Sequence, residues 1–159
     1  MRNYRFLSLS VVTSIVMVLL PETSYAANAI SYSKSGFECG VTVMDPHTST
    51  SLQHKGGGRN IKIDAYSKCE LLQRNVILTV ELYKRGLLNP IFIAKTSTDP
   101  TAGKSSGYVV NNFGTFKQCI SNKPSRFWGR AKGIAMINGK QYSTPWVQSG
   151  VTKGIACGT

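Results

Sequence analysis

Acidic residues are scarce in this chain. Its 159 residues carry 7 Asp and Glu against 19 Lys and Arg, with only two His, for a formal charge of +12. Few carboxylates and imidazoles leave little material for proton-transfer chemistry. Glycoside hydrolysis, for example, needs two carboxylates facing each other across a cleft. Past the N-terminal segment the only candidates are Glu38, Asp45, Asp64, Glu70, Glu81 and Asp99, and no spacing pairs any two of them. The strand-turn-helix frame of the G-x-S-x-G elbow of many serine hydrolases is missing. Its letters occur only at Gly103 to Gly107, in a stretch that is loop by composition and precedes a strand. Also missing are the close C-x2-C pairs typical of zinc sites, and neither His lies beside a cysteine. No N-x-S/T acceptor occurs, which suits export from a bacterial cell. Helical periodicity of useful length is absent beyond the N-terminus. With 42% apolar and 16% charged residues, the composition fits a folded domain, neither a disordered polyelectrolyte nor a membrane-embedded protein.

What is present begins with an export signal. Arg2 and Arg5 form a positive n-region, residues 6–20 an apolar stretch, and Ser24-Tyr25-Ala26 the small-residue cleavage pattern. The run is too short and too interrupted to span a bilayer, and Pro21 and Glu22 follow it directly. Residues 1–26 are therefore expected to be a cleaved signal peptide and 27–159 a single secreted or periplasmic domain. Taking Arg2, Arg5 and Glu22 from the 19 basic and 7 acidic residues leaves 17 and 6, a net +11.

Four cysteines, Cys39, Cys69, Cys119 and Cys157, fall in the mature part. An even number in a small exported domain points to disulfides, because the destination is oxidising. Asn138-Gly139 between alternating segments is a strong hairpin signal, and a turn there brings Cys119 and Cys157 close together. Cys39 and Cys69 flank a second candidate strand pair. The expected bridges are Cys39–Cys69 and Cys119–Cys157; a nested arrangement, Cys69–Cys119 with Cys39–Cys157, stays open at this point.

Strand patterning fills the remainder. Candidate strands are 37–44, 60–66, 75–84, 91–95, 107–116, 126–137, 140–148 and 151–157. Asn89-Pro90 marks a turn, and 45–58 and 96–106 are loops by composition. The fold class expected is all-β: a small disulfide-stabilised β-sandwich, immunoglobulin-like or similar. In the last hairpin, Phe127, Gly129, Ala131, Gly133 and Ala135 share a core face, with Tyr142 opposite Ala135 and Trp146 opposite Ala131. Large rings over small residues fill such a layer.

The other face of that strand carries the candidate site. Arg126, Trp128, Arg130 and Lys132 project from one side, spaced about 6.5 to 7 Å apart. The pattern can hold an anion electrostatically while the indole stacks on a ring or sugar face. Lys55, Arg59, Lys84, Arg85 and Lys153 would strengthen the field if they converge. On this register Arg126 and Arg130 are expected to be replaceable without loss of stability. The loop holding Asp45, His47 and His54 could furnish a Ser-His-Asp or metal arrangement, but histidines in a Ser/Thr/Gly-rich loop are usually solvated. His54-Lys55-Gly56-Gly57-Gly58-Arg59 lacks the order of a phosphate-binding loop and reads as a basic loop tip. No catalytic residue, metal or cofactor is expected. The favoured function is a non-enzymatic basic binding module for an anionic extracellular or cell-surface partner: polysaccharide, envelope polymer, nucleic acid or acidic protein. The alternatives are a small secreted hydrolase or nuclease with an unrecognised site, and an inhibitor or toxin acting on a protein.

Overall fold

One strand organises the molecule. The computed structural model describes residues 27–31, 38–51, 58–102 and 104–159, of which 68% are strand. The expected signal peptide, residues 1–26, and His54 and Lys55 lie outside the described residues. In chain order the strands are β1 (Ala27–Ser31), β2 (Cys39–Val43), β3 (His47–Thr48), β4 (Asn60–Lys84), β5 (Ile91–Ser97), β6 (Gly107–Gln118), β7 (Ser121–Ser125), β8 (Phe127–Ile137), β9 (Lys140–Ser143), β10 (Val147–Gln148) and β11 (Ile155–Gly158). β4 runs for 25 residues and joins what the sequence pattern divides into two strands. Its connecting stretch, 67–74, contains neither Gly nor Pro to stop it.

The two halves of β4 bury opposite parities. Ile61, Ile63 and Ala65 face the core in the first half; Val76, Leu78, Val80 and Leu82 do so in the second. The switch falls at Asn75, which has φ 51°, where the pairing with β8 skips between Arg74 and Ile77. An extra residue on one side of a ladder bends the strand and turns its side chains over, and Asn tolerates the left-handed backbone better than most residues. Polar groups released by the bend find partners. Ser67 Oγ donates to Gln73 Oε1 at 2.6 Å, Thr98 Oγ1 donates to Val76 O at 2.6 Å, and Asn112 Nδ2 donates to Leu78 O at 2.8 Å. A kinked buried strand needs this accounting, because an unpaired backbone group in the core is costly.

The first half of β4 pairs with β2 and β3 and with β6; the second pairs with β5 and β8, all antiparallel. The central path is β1-β2-β4-β8-β10 within nine strands, and β7 and β11 form a separate pair. Both halves of β4 contribute to one core cluster. Ile63 from the first half packs so closely on Gly129 of β8 that a Cβ there would lie 2.1 Å from Ile63 Cδ1.

Both expected disulfides form. Cys39 and Cys69 stand directly opposite each other in the β2–β4 ladder, and Cys119–Cys157 ties the β7–β11 pair together. The Asn138-Gly139 turn has φ of 49° and 75°, as a type I′ hairpin requires, and Ala135 pairs with Tyr142.

The last hairpin departs from its expected register, and the strand expected over 140–148 is split into β9 and β10. Trp146 does not oppose Ala131; Val147 does, and is 2% exposed while Trp146 is 37% exposed. Thr144 and Pro145 add one residue between β9 and β10. Thr144 holds the gap by donating its N–H to Gly133 O and accepting from Gly133 N–H at the hydroxyl. A one-residue slip turns every later side chain to the other face, so the indole leaves the core for the basic surface.

Candidate functional site

The outer face of the second β4 half assembles what the sequence placed there and two further elements. β5, β4 and β8 present successive rows: Phe92, Tyr83 and Trp128 in one; Lys95, Glu81 and Arg130 in the next; Ser97, Thr79 and Lys132 in the third. Alternation along each strand fixes these positions, since the intervening residues Val80, Leu82, Phe127, Gly129 and Ala131 are buried. Trp146 arrives from the β9–β10 connection.

The rings interlock. Tyr83 and Trp128 stack with centroids 4.5 Å apart and planes 9° apart, while Phe92 meets Tyr83 edge-on at 5.7 Å. Trp128 keeps part of its surface in solvent beside this stack. Arg130 lies between two rings, its Cζ 4.4 Å from the Trp146 centroid and 5.3 Å from that of Tyr83. Its Nε donates to Glu81 Oε2 at 2.7 Å.

Glu81 faces outward as its strand position requires, yet its side chain is only 8% exposed. Tyr83 Oη donates to Oε2 at 2.7 Å and Lys95 Nζ approaches Oε1 at 3.3 Å. Burial is the largest single influence on this carboxyl and pushes its pKa up. The bonds from Tyr83, Arg130 and Lys95, with the charge of Arg130, outweigh it and hold the group below the ordinary carboxylate value. Burial and the Glu81 bond raise the Tyr83 phenol. For Arg130, burial acts to lower the pKa, but Glu81 prevails and the guanidinium is held more firmly protonated.

The four sequence candidates therefore divide. Arg130 is half structural: it neutralises Glu81 and wedges between rings, so its removal carries a cost that the strand pattern alone did not foresee. The bond to Glu81 uses Nε, and the terminal nitrogens are not those committed to it. Trp128 is partly buried against Tyr83, whereas Arg126 is exposed and Lys132 half-buried. Neither Arg126 nor Lys132 forms a side-chain ion pair with any described residue. Of the wider set of cations, Arg59 is diverted, its Nη1 donating to Asn122 Oδ1 and Ala156 O beside β11, and Lys84 Nζ donates to Thr159 O. Glu81, Tyr83, Phe92, Lys95 and Trp146 were missed as site residues. The cross-strand register would have found the first four; Trp146 needed the Pro145 break to be read as a change of face.

The loop histidine goes elsewhere. His47 Nδ1 lies 3.1 Å from Asp45 O, and its Nε2 is 3.6 Å from Asp64 Oδ2, a carboxylate already paired with Lys62 at 2.9 Å. Asp45 accepts from Gly150 N–H, which pins this loop to the far end of the chain. Asp45 and His47 thus do not converge on a shared ligand, and the described residues hold no cluster of three or more His, Cys, Asp or Glu suited to a metal. No described helix is long and apolar enough to cross a membrane. Comparison with family models, with curated proteins and with solved structures yields no match.

Proposed function

We propose that the chain is an exported, non-enzymatic module that binds an anionic partner through the outer face of β4, β5 and β8. One observation carries this reading. Lys95, Arg126, Arg130 and Lys132 share the face with a single carboxylate, Glu81, which is covered, so the surface open to a ligand is cationic and ring-bearing. Arg130 is held by its Nε and by Trp146 and Tyr83, which leaves its outer edge oriented before any ligand arrives; a pre-aimed guanidinium loses less entropy on binding than a free one. Two disulfides suit an oxidising destination, and the leader pattern supplies the route. The packing of Ile63 on Gly129 supports a sandwich-like folding of the long sheet over itself.

Binding of the 27–159 chain to immobilised polygalacturonate, polyphosphate and DNA at two salt concentrations tests the proposal. Affinity is expected to fall steeply with salt, because each neutralised anion releases a counterion. Arg126→Ala with Lys132→Ala should weaken binding and flatten the slope. Equal binding by this variant and the wild type would refute the assignment of the face.

A further inference from the structure

The hairpin tip between β4 and β5 exposes more apolar surface than a free-standing turn has reason to. Its six residues, Arg85 to Pro90, join Lys84 to Ile91, which pair as the last rung of the ladder. Leu87 is 101% exposed and Leu88 90%, with Ile91 at 50% and Phe92 at 55% just behind them. Two consecutive leucines fully in water, backed by a third aliphatic side chain and a ring, make a contiguous apolar prow. Exposed patches of this kind mark interaction sites. The prow is also held firmly: a Cβ on Gly86 would lie 2.2 Å from Asn89 O, so the turn closes tightly on itself and only glycine fits there.

Cations surround its base. Arg85 N–H donates to Arg126 O at 2.8 Å, which sets the two arginines side by side, both exposed. Thr152 N–H donates to Phe127 O, and so carries Lys153 to the same end. Residues 83–98 contain no Asp or Glu, and residues 100–159 contain eight Lys and Arg with none. An apolar tip within a basic collar fits one partner chemistry closely, an anionic lipid surface. The leucines would enter the boundary between headgroups and acyl chains while the arginines stay at the level of the phosphates. A soluble polyanion would use the collar but give no reason for the leucines. An acidic protein would need a matching apolar socket, whereas a bilayer supplies one everywhere.

We infer that the Arg85–Pro90 hairpin tip is a membrane-docking element that inserts Leu87 and Leu88 into anionic bilayers. The residues its test alters, Arg85, Leu87 and Leu88, lie outside the rows of the ligand-binding face, so the two readings stand or fall separately. The test is flotation of the 27–159 chain with phosphatidylcholine vesicles containing or lacking phosphatidylglycerol. Partitioning is expected only with phosphatidylglycerol and should weaken with salt. Leu87→Ser with Leu88→Ser should reduce it about tenfold or more, and Arg85→Gln roughly fivefold, with the melting temperature nearly unchanged because all three residues are exposed. Lys132→Ala should leave flotation unaltered. Leu88→Trp should show a blue-shifted emission on adding vesicles, measured as a difference from the wild type. Wild-type partitioning by the double serine variant, or no blue shift at saturating lipid, overturns the inference. Binding to soluble polyphosphate with no flotation overturns it too, while leaving the ligand-binding face intact.

Discussion

Replacing Arg130 with Met should expose how much the outer face depends on one ion pair. The guanidinium supplies Glu81 with a bond of 2.7 Å and sits over two rings. A hydrogen bond to a charged group contributes about 1.5 to 3 kcal/mol, and each cation–π contact about 0.5 to 1 kcal/mol at partly exposed sites. The Arg130 side chain is 35% exposed, so solvent screens part of this, while Met retains some packing against Trp146. Lys95 remains beside Glu81 but is itself 51% exposed and compensates weakly. The net expectation is about 2 to 3 kcal/mol of destabilisation. For a domain of this size that corresponds to a melting temperature lower by roughly 8 to 12 °C. Urea unfolding with the disulfides intact measures it.

The pH dependence gives the reasoning a second handle. In the wild type Glu81 has a depressed pKa, so its contribution is present above the ordinary carboxylate range and is lost as pH falls through the lower, folded value. Without Arg130, its bond and its charge no longer offset burial, and the folded pKa rises. The stability gap between variant and wild type should then be widest near neutrality and shrink on acidification. Glu81→Gln on its own removes the charge that needs Arg130, so Arg130→Met should cost markedly less in that background, with a coupling of about 1.5 kcal/mol or more. A gap under about 0.5 kcal/mol at neutral pH, or one that widens in acid, would refute the account of Glu81 as a locked carboxylate.

Three further outcomes follow from the architecture. Reducing both disulfides opens loops with separations of 30 and 38 residues, each worth about 3 to 4 kcal/mol in the chain-entropy model; thermal scans with and without reductant should therefore differ by tens of degrees or show no folded baseline at all. Gly129→Ala would place a Cβ 2.1 Å from Ile63 Cδ1 and 2.7 Å from Glu81 O. The aliphatic tip can move but the carbonyl cannot, so urea titration should register a loss of about 2 to 3 kcal/mol. Mass spectrometry of the exported protein should find Ala27 at the N-terminus; an intact Met1 on membrane-recovered material would end the signal-peptide reading.

How far the sequence reached depends on which interactions set each feature. The Asn138-Gly139 turn is local, and its two positive φ angles fix the first four rungs of the hairpin, so Ala135 and Tyr142 could be paired by counting. Cysteine positions relative to such turns also chose the right bridges. The unity of β4 was harder to see, because the absence of a breaker in 67–74 is a weak signal beside the flip of parity at Asn75, and the flip resembles a boundary. Charge placement was the least legible. That Arg130 and Glu81 share a rung is evident only once β4 and β8 are known to be neighbours, 49 residues apart in sequence. No local period encodes that distance.

Trp146 shows how a small local term redirects a large residue. Counting from the turn sends the indole into the core opposite Ala131, and burying it there would be favourable by area alone. Pro145 locks φ at about −65°, however, far from the roughly −140° of a regular antiparallel strand, so the chain bends out of the ladder there. Thr144 instead satisfies both polar groups of Gly133, and the next rung restarts one residue late with Val147. The core loses a ring and gains a valine that fits over Ala131, while the surface gains the aromatic wall that completes the Arg130 sandwich. Replacing Pro145 with Val, which keeps the residue count, should therefore restore the counted register and draw the indole inward. Fluorescence would then show blue-shifted, quencher-protected emission, and affinity for the polyanion probes should drop as Arg130 loses one of its two rings. Emission that stays solvent-exposed after this replacement would mean that Thr144, rather than Pro145, sets the slip.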